Sequence, residues 1–107
     1  MDFDALKVAL ELIRALKPVI QKIRQHDPSL ATQITRAASS NAGNLGEGRW
    51  RAGRDRIHHF RVAGGSAGEV EVHLHVALAW GYVEASDLDE SMALLDRELA
   101  MCWKLIH

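Results

Sequence analysis

Two apolar stripes run side by side along the first quarter of the chain. Leu6, Ala9, Ile13, Leu16, Ile20 and Ile23 recur at steps of three and four, the period of a buried helix face. Val8, Leu12, Ala15 and Val19 form a second stripe, well over a quarter-turn away at about 100° per residue. Only a narrow polar strip is left, near Asp4, Glu11, Arg14 and Lys22. Such a helix needs cover over most of its circumference, more than a small bundle easily supplies. The second stripe, with Val8, Leu12 and Val19, is therefore expected to form a subunit interface. Asp2 or Asp4 can cap the helix start. Pro18 lies inside the periodic run and is expected to kink or divide the helix.

The helical period continues along the chain. The stretch His26-Asp27-Pro28-Ser29 is a turn, with Pro28 suited to a first helical position after an Asp27 cap. Leu30, Ile34, Ala37 and Ala38 then mark a second helix, which runs towards a break near residues 52–54. Ile57, Phe60, Ala63, Ala67, Val70, Leu74 and Leu78 mark a third, from about Asp55 to Trp80, with Gly81-Tyr82 as its stop. Ser86 to Asp89 resembles a capping box with aspartate in place of glutamate. Leu88, Met92, Leu95, Leu99, Trp103 and Ile106 form the apolar side of a last helix. No alternating strand pattern of useful length occurs. Four helices with short links predict an all-α fold, an antiparallel up-and-down four-helix bundle in a single domain over residues 1–107.

Composition narrows the function classes. The 107 residues are 48% hydrophobic and 25% charged, ordinary for a folded domain. A lone Cys102 fits a reducing compartment. The start, MDFDALK, lacks the basic and apolar runs of a signal peptide. No run approaches the roughly 20 apolar residues of a membrane span. A cytoplasmic location without a membrane partner is the expectation. The net charge of −1 conceals a basic middle, residues 36–61, and an acidic end, residues 62–107.

Catalytic and cofactor chemistry finds little support. Gly43, Gly46 and Gly48 are spaced GxxGxG, with no preceding strand and no following Lys-Ser/Thr, so neither nucleotide-binding fingerprint is present. The glycines are better explained by a neighbouring helix coming close. The same holds for residues 63–69, AGGSAGE, where each glycine costs about 1 kcal/mol of helix propensity against alanine. Glu69/His73 and Glu71/His75 are four apart, giving two ligands per face, and HExxH and ExxH are missing. Cys102 fits a core position, and no nucleophile–base pair is argued by spacing. No catalytic residue, metal or cofactor is expected, and the chain is not expected to be an enzyme.

The basic middle is the candidate binding feature. Arg49, Arg51, Arg54, Arg56 and Arg61, with His58 and His59, crowd one helix–helix corner. Trp50 is interleaved and suited to stack on a base or on an arginine. A solvated face with local ion pairs is the alternative.

Two blocks carry a family resemblance. QITRAASSNAGNLGEGRWR (33–51) and AGGSAGEVEVHLHVALAWGYV (63–83) resemble the four-helix-bundle family encoded within 23S ribosomal RNA intervening sequences. The matching positions include Arg36, Asn44, Glu47, Gly48, Gly65, Ser66, Glu69, Glu71 and Tyr82. Gly46 stands where alanine is common, and His59 where an aromatic is usual. The resemblance implies a bundle assembling as a homo-oligomeric ring, a pentamer. It also implies kinship with accessory proteins of diversity-generating retroelements, which bind a reverse transcriptase and nucleic acid through a basic surface. On that basis RNA or DNA and a reverse transcriptase or other protein are expected partners. Arg49, Trp50, Arg51, Arg54 and Arg56 are the expected anion-binding residues. A protein scaffold without nucleic-acid binding is the alternative. Asn44 and Glu47 are expected to satisfy polar groups where the second and third helices meet, with Glu69 and Glu71 nearby, or to pair with arginines of an adjacent subunit.

Overall fold

In the computed structural model, which describes residues 4–107, the double-striped segment is one uninterrupted helix, α1 (Asp4–Arg24). Pro18 does not divide it. It sits on the exposed side, where loss of one backbone donor is tolerated. The Asp2 cap lies outside the described residues.

Asp27 then starts α2 (Pro28–Gly48): its carboxylate accepts the Leu30 N–H at 3.0 Å, and Pro28 takes the first helical position. The break falls at residues 49–52, and α3 (Gly53–Ala79) begins on Gly53 at φ +59°. That conformation is left-handed and favours glycine. α3 ends as expected. Gly81, at φ +76°, donates to the Leu78 carbonyl and Tyr82 donates to the Ala77 carbonyl, both at 3.0 Å. These paired bonds form a Schellman motif.

A 3-10 turn (Ala85–Leu88) leads into α4 (Asp89–Ile106). The cap here differs from the expected Ser86–Asp89 box. Asp87 instead reaches back to the Glu84 N–H at 2.8 Å and pairs with Lys22 of α1 at 2.7 Å. The cap thereby also ties the turn to the first helix.

Connections this short force each helix to reverse on the last. α1 packs on α2, α2 on α3, α3 on α4, and α4 returns to α1. The result is an all-α four-helix bundle of 43 × 23 × 19 Å with no strand among the described residues. Its main core joins Leu12, Leu16, Ile23, Ile34, Val70, Leu74 and Leu95. A smaller cluster of Ala5, Ala9, Leu45, Phe60, Ala63 and Cys102 fills the end where α2 turns into α3.

Three expectations about faces need correction. Val8, Leu12 and Val19 are buried within the single chain, so they are not an outward interface. α1 is wedged between α2 and α4, and the line facing both neighbours is Ala5, Val8, Ala9, Leu12, Leu16, Val19 and Ile23. Leu6, Ile13 and Ile20 are displaced to the half-buried flank. In α4, Trp103 is 62% exposed and Cys102 takes the core position. Among the glycines of α2 and α3, Gly48 alone is held by close packing. A Cβ there would meet the Phe60 ring at 2.8 Å, whereas Gly43, Gly46, Gly65 and Gly68 have open space.

Candidate nucleic-acid interface

The α2–α3 corner assembles the basic residues that the chain spaces out. Arg49 follows the last turn of α2, and its guanidinium carbon lies 5.1 Å from the Trp50 ring centroid, within cation–π range. Trp50 itself is 75% exposed. A large, wet indole beside a cation offers a flat stacking surface.

The arginines divide into two groups. Arg51 bridges Glu47 at 2.8 Å and Asp55 at 2.9 Å, so its charge is largely compensated. The pairing holds the Glu47 carboxyl below its ordinary range, first through the hydrogen bond from Arg51. Arg54, Arg56 and Arg61 instead line an open depression of about 770 Å³ with Gly53, Ile57 and Ile106. Arg56 donates to the Arg49 carbonyl at 3.4 Å, which pins one side of the depression. Among the described residues, Arg54 and Arg61 have no acidic partner within ion-pair distance. Arg61 belongs with the expected set, and its signal lay in the sequence: Arg54, Ile57 and Arg61 fall three and four apart on one helix face.

Of the other signature positions, Asn44, Gly48 and Ser66 hold α2 against α3, and the remainder lie elsewhere. Asn44 donates to the Ser40 carbonyl at 2.9 Å and meets His59 Nδ1 of α3 at 2.9 Å. Ser66 donates to Ser40 at 2.9 Å, again from α3 to α2. Gly48 admits Phe60. Tyr82 stacks on His26 at 5.2 Å at the opposite end of the bundle and hydrogen-bonds Asp27 at 3.4 Å. Arg36 is exposed on α2. Glu69 and Glu71 are not near the corner. They lie roughly 24 to 27 Å along α3 from its start, at about 1.5 Å per residue. Glu69 approaches His73 at 3.5 Å. Glu47 turns to Arg51 within its own chain.

Cys102 is buried, and burial first, then the nearby Glu98, push its thiol up to about 12. A thiol held neutral in this way is no nucleophile at physiological pH. Among the described residues, no three His, Cys, Asp or Glu side chains converge as a metal site would require. No helix of the described chain is long and apolar enough to cross a membrane.

An antiparallel bundle with a basic, tryptophan-bearing corner is thus the class that fold and surface define. The chain belongs to the 23S rRNA-intervening sequence protein family, whose model matches residues 1–104. Its fold matches a crystal structure of a protein of unknown function from the S23 ribosomal protein family of Bacteroides thetaiotaomicron, with a TM-score of 0.83 and 18% identity. That match covers 95% of this chain and 97% of the other. No curated protein matches the chain.

Proposed function

We propose that this protein is a non-enzymatic accessory factor that binds RNA, or a ribonucleoprotein such as a reverse transcriptase complex, through the α2–α3 corner. The observation that carries this reading is the open depression lined by Arg54, Arg56 and Arg61, with Arg49 and the exposed Trp50 at the same corner. Guanidinium groups match phosphate oxygens, and an exposed indole stacks on unpaired bases.

A homo-oligomeric ring, a pentamer, is part of the proposal. With Val8, Leu12 and Val19 in the core, the ring contacts are assigned to the outward line of α3. Val62, Gly65 and the 58% exposed Val72 share that face, and Gly65 leaves room for a neighbouring backbone. A compact ring would repeat the arginine corner around its rim.

Electrophoretic and anisotropy titrations with single-stranded RNA test the binding reading. Reversing Arg49, Arg51, Arg54 and Arg56 to glutamate is expected to abolish binding, and wild-type affinity is expected to fall steeply with salt. Retained binding in the reversed protein, or binding indifferent to salt, refutes it. No RNA binding together with an assembly that dissociates in salt selects the alternative, a protein scaffold whose arginine corner meets the acidic C-terminal region of a neighbour. A monomer in light scattering at micromolar concentration removes the ring.

A further inference from the structure

Glu98 stands in the interior of α4 with 0% of its surface exposed. It falls on the line Leu88, Ser91, Leu95, Glu98 and Cys102, at steps of three and four, where every other member is a buried small or apolar residue. Neither carboxyl oxygen has a hydrogen-bond donor. Facing it from α2 is Asn41, 1% exposed. The Asn41 amide nitrogen is committed to the Ala63 carbonyl of α3 at 2.9 Å and lies 3.7 Å from Cys102 Sγ. Its carbonyl oxygen, Oδ1, is left without a partner.

These three orphaned oxygens do not fit an ionised side chain. A carboxylate offers only acceptors, and neither oxygen has a donor within hydrogen-bond distance in the core. A buried charge without donors or a counter-ion is strongly disfavoured. One proton on Glu98 changes the count: the acid gains an O–H donor, and Asn41 Oδ1 is the acceptor that lacks one.

We propose that Glu98 is held in the core as the neutral acid and donates to Asn41 Oδ1, forming a proton-closed latch between α4 and α2. Asn41 also bonds α3, so the latch joins three of the four helices. It sits one turn before Asn44, which in turn holds His59 beside the arginine corner. Loss of the proton leaves an unpaired charge inside the bundle and loosens the packing behind that corner.

The surroundings contain little else that titrates. Cys102, on α4 itself, faces Glu98 and stays protonated. Lys7, Glu11 and Arg14 of α1, Arg36 of α2 and Glu69 of α3 are exposed, and Glu71 is half-buried. None of these contributes to the environment of Glu98. Burial raises its pKa to about 7, opposed more weakly by the Asn41 amide group, whose nitrogen stays outside direct hydrogen-bond distance.

The sign of the linkage follows. The folded state keeps a proton that the unfolded chain releases from about pH 4.5 upwards. The stability supplied by the latch is therefore complete below that pH, declines as pH rises to about 7, and changes no further above it. Carbon-13 NMR of the wild-type protein labelled at glutamate Cδ is the direct test. One resonance is expected to titrate near pH 7, and it should vanish in Glu98→Gln. A full set of resonances titrating in the ordinary carboxylate range overturns the proposal without any variant having to fold. Glutamine keeps a donor for Asn41 Oδ1 but cannot ionise. The melting temperature of wild type relative to Glu98→Gln should accordingly drop between pH 4.5 and 7, by on the order of 10 °C. A difference between the two proteins that does not vary with pH also overturns it.

Discussion

Asn44 and His59 meet at 2.9 Å across the α2–α3 junction, fifteen residues apart in sequence. Asn44 is fixed from behind by Ser40, so the pair sets how α3 leaves the corner that carries the arginines. Replacing Asn44 with alanine is expected to destabilise the fold by about 1 kcal/mol, the usual net worth of a part-buried hydrogen bond. A double-mutant cycle with His59→Ala, read by urea unfolding, should return a coupling of roughly 0.5–1.5 kcal/mol. Strict additivity would mean that the two side chains do not interact.

Gly48 and Gly46 should respond oppositely to the same change. A Cβ at Gly48 would sit 2.8 Å from the Phe60 ring and 3.1 Å from His59 Cβ. Gly48→Ala is expected to destabilise by about 1–3 kcal/mol through overpacking. Gly46 and Gly43 have open space, so alanine there is expected to stabilise by up to about 1 kcal/mol. Thermal melts of the three variants check this directly.

Gly65→Ala separates folding from assembly. Its Cβ meets nothing within the chain, so the isolated bundle should gain up to about 1 kcal/mol. A ring built on the α3 face should be weakened by the same methyl group. Analytical ultracentrifugation reads the second effect and chemical denaturation the first; an assembly indifferent to the substitution places the ring contact elsewhere.

The arginines should be unequal in binding. Arg51 is already paired with two carboxylates, so Arg51→Ala should change RNA affinity and its salt slope little. Arg54→Ala and Arg61→Ala each remove a guanidinium from the depression. Each should reduce the slope of log K against log salt by up to about 1. Equal effects at all three positions would argue that Arg51 leaves its acidic partners on binding.

The Lys22–Asp87 pair predicts a pH effect at the acid end. The hydrogen bond from Lys22, followed by the Glu84 N–H, holds the Asp87 carboxyl below its ordinary value of 3.8. A lowered folded value gives stability that is present above that pH and lost as pH falls through the folded value. Asp87→Asn should therefore flatten the acid limb of the stability profile below about pH 4 and leave neutral pH nearly unaffected beyond the lost surface pair. Lys22 is exposed and Asp87 only half-buried, so the effect should shrink in high salt.

Much of the architecture was legible because its causes are local. Asp27-Pro28 starts a helix and Gly81 stops one through contacts within a few residues, and the three-and-four spacing of apolar side chains marks each helix between. The basic corner was legible for the same reason: Arg49 to Arg61 lie within one short stretch around a single turn. Asn44, Gly48 and Ser66 could be recognised as important positions from the family pattern, but their partners could not be read. His59, Phe60 and Ser40 reach them only when α2 and α3 are laid together.

What the sequence by itself determined is the number of helices, the boundaries at Asp27-Pro28 and Gly81, and the charge of the corner, since these follow from backbone geometry and neighbouring residues. Tertiary structure alone decided that the inward line of α1 draws on both stripes, because both are apolar and the choice is made by where α2 and α4 come to rest. It also decided that Arg51 is paired while Arg54 faces the open depression. It set Cys102 inside and Trp103 outside, and it enclosed Glu98 against Asn41. Each of these depends on atoms brought together from different helices, and so on packing, which a one-dimensional pattern does not contain.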